Sequence, residues 1–235
     1  MFDAGFLNSV RAYILAALVV SGVVAVAAAP SQIATSPSPS DLARAIQQKY
    51  DTVKDLSASF THSYRGGVLR KETTERGTVK IKKPGRMRWV YEYPEHKEFV
   101  ADGSRVYSYI PEDRQVMVAP VPADGEATTP ALFLSGHGNL ARDFLASFPD
   151  APDPLPGTWS LTLTPHRPEA EYESLTLVVD RATYRLRKLV TADAQGGRST
   201  LTFSDVRENV GMPDAVFRFT IPRGVDVVTN GQAGR

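Results

Sequence analysis

The chain of 235 residues contains no cysteine. That removes disulfide staples and thiolate metal sites, and leaves stability to a packed core. Charge of one sign is equally scarce: 27 Lys and Arg against 26 Asp and Glu leave a formal net charge of +1. Such a balance argues against nucleic acid and against strong attraction to anionic lipid surfaces. The four histidines, His62, His96, His137 and His166, lie far apart with no metal-ligand spacing, so no metal site is expected. Gly136-His137-Gly138-Asn139-Leu140-Ala141 matches a glycine-rich nucleotide fingerprint only formally, because a helix precedes it where that motif needs a strand. Ser135 has no glycine two residues upstream, so it is no nucleophile elbow. No catalytic residue and no cofactor are predicted.

An uncharged run from Ala12 to Ala29, rich in Ala, Val and Leu, follows Arg11 and ends in Val-Ala-Val-Ala-Ala-Ala-Pro. An apolar core followed by small residues at cleavage spacing reads as an export signal over residues 1–28. Residues 29–40 form a Pro/Ser-rich linker without periodicity, and residues 41–235 are read as one domain.

Ser40 is the expected N-cap of a first helix whose apolar stripe is Leu42, Ile46, Tyr50 and Val53. The period then drops to two. Leu56, Ala58, Phe60, His62 and Tyr64 alternate with Ser and Thr, and Val79 and Ile81 alternate with lysines. Pro84-Gly85 suit a type II turn with Lys83 at its first position, and Asp102-Gly103 suit a tight hairpin. Further strands are expected over Lys97–Ala101, Arg105–Ile110 and Gln115–Ala119. Two short helices should follow. Thr129-Pro130 opens the first, and Asn139 caps a second with the stripe Leu140, Phe144, Leu145 and Phe148. The proline-rich stretch Pro149–Gly157 then makes a stiff loop. Alternation resumes at Trp159, Leu161 and Leu163, at Leu175, Leu177 and Val179, at Tyr184, Leu186, Lys188 and Val190, and at Leu201 and Phe203. An eleventh strand is expected through Phe217, Phe219 and Ile221, with a short twelfth over Pro222–Val228.

Two stretches stand out, Lys82–Glu92 (KKPGRMRWVYE) and Phe99–Tyr109 (FVADGSRVYSY). Each sets large aromatics on one parity and charges on the other. Their order resembles the outer-membrane lipoprotein carrier proteins of the LolA family, over about Leu42 to Val228. The resemblance implies a mainly β fold, an incomplete antiparallel barrel of about eleven strands covered by about three α-helices. It implies no enzyme but a periplasmic, monomeric carrier of lipoprotein acyl chains. Its partners would be an inner-membrane ABC-type lipoprotein-releasing complex and a lipid-anchored outer-membrane receptor. The receptor shares the fold but needs a cysteine for its anchor, so a chain without cysteine fits the soluble carrier. The alternative is a lipid-sensing or lipid-trafficking protein on the same scaffold.

Strand parity and helix stripes then predict an acyl-binding cavity of Met87, Trp89, Tyr91, Phe99, Leu132, Phe133, Leu140, Phe144 and Phe148. Lys83 stands where the family usually carries an arginine that holds lid carbonyls, and is the expected lid latch. It keeps the charge but lacks the planar fork.

Overall fold

The computed structural model describes residues 36–67, 71–121, 134, 136, 138–169 and 171–229. Helix α1 spans Pro39–Asp51. Its N-cap is Ser38, whose hydroxyl accepts from the Asp41 amide at 3.1 Å, and not Ser40. Pro39 explains the shift, since its fixed φ and missing N–H suit the first helical position. The expected stripe is correct: Leu42, Ile46, Tyr50 and, just beyond the helix, Val53 are all buried.

Six strands follow as a meander: β1 Asp55–Arg65, β2 Glu72–Lys82, β3 Arg86–Tyr93, β4 Lys97–Asp102, β5 Arg105–Ile110 and β6 Gln115–Pro120. Between β2 and β3 the Lys83–Pro84 bond is cis, unlike a standard type II turn, and Gly85 takes φ 66°. The insert that follows departs from expectation. The helix predicted from Thr129 lies outside the described residues, apart from Leu134, which is helical and buried. Asn139 does cap a helix, α2, but this is the single turn Leu140–Asp143. At Phe144 the backbone becomes extended and pairs as β7, Phe144–Ser147, against β8, Thr158–Pro165. Sheet pairing there overrides the helical stripe, and neighbouring side chains point to opposite faces.

Strands β9 Ser174–Asp180, β10 Leu186–Ala192 and β11 Arg198–Glu208 complete the antiparallel run. Beyond β11 the expected strand at Phe217–Ile221 is absent. Phe217 instead ends a 3-10 turn, Asp214–Phe217. This segment crosses one face of the sheet as a strap. Lys82 Nζ donates to the Met212 carbonyl at 2.6 Å, Arg88 donates to the Val216 carbonyl at 2.9 Å, and Phe219 stacks on Tyr107 at 5.3 Å. Having crossed, the chain adds β12, Asp226–Thr229, parallel to β6. The expectation of purely antiparallel pairing fails at this pair, because a crossover, not a hairpin, delivers the strand.

The result is a 12-stranded unclosed sheet in the order β12-β6-β5-β4-β3-β2-β1-β11-β10-β9-β8-β7. Three register shifts interrupt its ladders, one of them between Arg76 and Gly77 on β2, and the other two change which residues enter the core. One between Leu186 and Lys188 puts Leu189, and not Val190, in the main core with Leu186. Another opposite Ser57–Ser59, where Asp205 has φ 52°, turns Val206 onto the face of Phe203.

Candidate functional site

One face of the sheet packs under α1 and α2, and it carries the aromatic residues singled out in the sequence. Trp89 pairs with Phe99, and Tyr91 with Lys97, across β3 and β4. The alternation fixed by those pairs sends Met87, Trp89, Tyr91 and Phe99 to the helix-covered face. Trp89 is buried and the other three pack against the same core. The rings form a chain of edge contacts. Phe60 meets Trp89 at 5.1 Å and Tyr91 at 4.9 Å, and Tyr91 meets Phe99 at 5.7 Å. Gly77 makes this possible: a Cβ there would stand 1.9 Å from the Val90 carbonyl oxygen and 3.0 Å from the Phe60 ring.

Leu140 is buried in this core and Phe144 packs against it from β7. Phe148 does not. It lies past the end of β7, 44% exposed, because the predicted helix that would have turned it inward is a strand. Leu145, from the same predicted stripe, is 62% exposed on the opposite face from Phe144. Leu132 and Phe133 lie outside the described residues.

A small apolar pocket opens in the same core, lined by Tyr50, Leu56, Ala58, Leu134, Leu186, Phe203 and Val206. None of these was among the predicted cavity residues. The alternation of β1 contained the signal for Leu56 and Ala58, whereas Val206 depends on the bulge. α1 fills most of the space above: Tyr50 reaches down, its hydroxyl accepting from the Leu186 amide at 2.9 Å. Burial pushes the Tyr50 hydroxyl pKa well up, so it stays a neutral phenol.

Lys83 stands at the end of α1. Its ammonium donates to the Tyr50 carbonyl, and its methylenes lie 3.1–3.3 Å from where a Cβ on Gly136 would be. Burial lowers the Lys83 pKa and the nearby Asp51 carboxylate partly offsets this. α1 is further held by Lys49, 2.6 Å from Glu208 on β11, and is joined to α2 by the Leu140 amide, which donates to Gln47 Oε1 at 2.9 Å.

The aromatic floor ends in a polar cluster. His62 Nδ1 lies 3.1 Å from Glu75 Oε2 and its Nε2 lies 2.8 Å from Ser199 Oγ. Lys97 contacts the other Glu75 oxygen and lies over the Tyr91 ring, 5.6 Å from its centroid. Burial pushes the Glu75 carboxyl up, but hydrogen bonds from Lys97 and His62 outweigh this and hold it below the usual range. Tyr91 is pushed up to about 12, by burial and by the Glu75 charge. Among the described residues no group of three or more His, Asp or Glu could hold a metal ion, and no helix is long and apolar enough to cross a membrane.

Residues 51–220 match the family model described as outer membrane lipoprotein carrier protein LolA. Among curated proteins, an outer-membrane lipoprotein carrier protein of Chromohalobacter salexigens is 32% identical over 77% of this chain and 83% of its own. The corresponding protein of Bordetella pertussis is 31% identical over 90% of this chain and 95% of its own. An uncharacterized conserved protein from Thermus thermophilus, solved by crystallography, has the same fold, with a TM-score of 0.51 at 16% identity, covering 80% of this chain and 99% of that one.

Proposed function

The chain belongs to the outer-membrane lipoprotein carrier family, and from that premise we propose that its helix-covered apolar face shields the acyl chains of lipoproteins in transit across the periplasm. One observation supports this most directly. An unclosed sheet carries a continuous aromatic floor of Phe60, Trp89, Tyr91 and Phe99 on the face that α1 and α2 cover with buried apolar residues, with polar contacts at the helix ends. The physical need is large. At about 0.8 kcal/mol per buried CH₂, an acyl chain of roughly fourteen methylenes resists entering water by on the order of 11 kcal/mol. A carrier must match that with apolar surface and still let go. Because α1 occupies the floor, cargo enters by displacing α1 or the segment around Leu134. Met87, Trp89, Tyr91, Phe99, Leu140 and Phe144 then become the lining, with Leu132 and Phe133 contributed by the insert. Lys83 is the latch that opposes opening.

The remaining roles follow from the family reading. Residues 1–28 act as an export signal and residues 29–40 as a linker, so the carrier domain works in the periplasm as a monomer. It takes cargo from an inner-membrane ABC-type releasing complex and passes it to a lipid-anchored receptor. No step needs catalysis: the carrier makes and breaks no covalent bond.

Mixing the purified protein with an acylated lipoprotein and with the same lipoprotein stripped of its acyl chains tests this reading. Size-exclusion chromatography should show a one-to-one complex with the first and none with the second. Equal binding to both, or to neither, would sink the acyl-carrier reading.

A further inference from the structure

The apolar face has a direction. Along β1 the side chains on this face run Leu56, Ala58 and Phe60, and then His62. His62 lies opposite Glu75 on β2 and Leu201 on β11, and Lys97 lies opposite Tyr91, so the polar cluster shares the face of the aromatic floor. An amphiphile bound along this floor would place its apolar tail toward α1 and its head toward His62. We propose that the Lys97 ammonium, positioned by Glu75 and through it by His62 and Ser199, is a subsite for the ester carbonyl that joins an acyl chain to its head group. This rests on the carrier reading above and adds to it the orientation and depth of the cargo.

The hydrogen-bond inventory supports a neutral acceptor as the ligand. The Glu75 carboxylate spends one oxygen on His62 Nδ1 and the other on Lys97. A carboxylate at Nδ1 keeps the proton there, so Nε2 accepts the Ser199 hydroxyl proton. Two Lys97 ammonium protons then remain to donate, while the His62 and Ser199 protons are spent within the cluster. The side chains of His62, Glu75 and Lys97 keep 23%, 18% and 24% of their exposure, so a ligand can reach them. The Lys97 ammonium also stands beside the Tyr91 ring, at the border of the apolar floor, where the carbonyl of a buried acyl chain would emerge. Lys97 and Glu75 cancel in charge. The cluster therefore has no surplus for a phosphate or carboxylate, while an ester oxygen, losing water as it enters, needs only a donor.

The test uses two probes that differ only in that carbonyl, a 1-monoacylglycerol and the 1-O-alkylglycerol ether of equal chain length. Each competes for the wild-type protein with a fluorescent apolar dye. Wild type should prefer the ester by about tenfold, the worth of one charge-assisted hydrogen bond. Lys97→Met should bring the ratio to about one while leaving the ether affinity unchanged, and Lys97→Arg should restore the preference. Equal affinity of wild type for both probes would overturn the subsite but leave the carrier reading standing. Failure of both probes to displace the dye would remove the carrier reading and the subsite with it. A Lys97→Met protein that loses both affinities in parallel with its melting temperature would mark Lys97 as merely structural, and overturn the assignment. Should that variant not fold, Lys97→Gln, which is neutral but can still donate to Glu75, should reduce the ester preference several-fold, and no reduction would overturn it. Lysophosphatidylglycerol, with the same ester and an anionic head, should bind no tighter than the monoacylglycerol. Tighter binding would make this an anion site and refute the neutral-carbonyl assignment.

Discussion

At the scale of single residues the clearest lever is Lys83. The resemblance led us to expect it to grip carbonyls of the inserted helices. Among the described residues it reaches the Tyr50 carbonyl at the C-terminal end of α1, where a cation also complements the helix dipole. Its stem packs against Gly136, so one side chain touches both α1 and the insert. A charge-assisted hydrogen bond contributes about 1.5–3 kcal/mol, and cargo that displaces α1 must break it. Lys83→Leu should therefore tighten binding of an apolar dye by about tenfold or more and slow cargo transfer to the receptor. Lys83→Arg, whose fork can serve several carbonyls, should weaken dye binding relative to wild type. Fluorescence titration of the three proteins decides the matter. Identical dissociation constants would mean that the Lys83–Tyr50 contact does not resist opening.

At the scale of elements, the residue to probe is Phe144, where a helical stripe became a strand. In β7 Phe144 faces the core while Leu145 faces solvent; in a helix both would have joined the buried stripe. Phe144→Ala should cost about 2–3 kcal/mol, somewhat below a fully buried phenylalanine, and Leu145→Ala within about 0.5 kcal/mol. Equal costs in urea titrations would contradict the strand. The same contrast shows what the sequence could reveal. Strands β1 to β6 and the stripe of α1 were legible, because strict alternation and a 3.6-residue period each persist over several residues there. Met87, Trp89, Tyr91 and Phe99 were legible for that reason. Phe148 was misplaced because four apolar residues fit a one-turn helix followed by a strand as well as a longer helix. Leu189 and Val206 were missed because a bulge inserts one residue and reverses parity from that point. Phe217 and Phe219 alternate as a strand would, yet they cover the sheet as a strap. Nothing local distinguishes pairing within a sheet from lying across it.

At the scale of the whole molecule, an open sheet depends on what fastens its connections. Asp55, buried at the start of β1, accepts from the Val210, Gly211 and Met212 amides at 2.7, 3.1 and 3.3 Å and so anchors the strap. Asp153 binds Lys188 through both carboxylate oxygens, at 2.9 and 2.8 Å, and pins the loop after β7 to β10. Asp102 organises the β4–β5 turn through the Ser104 and Arg105 amides, both at 2.8 Å. For Asp102 and Asp153 burial raises the carboxyl pKa, but turn amides or Lys188 outweigh it and leave each below the ordinary carboxylate value. Glu75 is depressed in the same sense. A depressed folded pKa means that the unfolded chain binds protons first as pH falls. The stabilisation is thus complete above the unfolded carboxyl pKa of about 4 and is lost as pH drops through the lower folded values. The urea midpoint should accordingly be insensitive to these carboxylates from about pH 6 to 8 and should fall between about pH 5 and pH 3. Asp153→Asn should lower the midpoint at neutral pH, because Lys188 loses its partner. It should also show a smaller further loss on acidification, because one of the groups that titrates is gone. A drop between pH 5 and 3 as large as that of wild type would show that the Asp153–Lys188 pair contributes nothing to acid stability, and that the loop after β7 is held by its other contacts, such as the Asp153 amide on Ser160 Oγ.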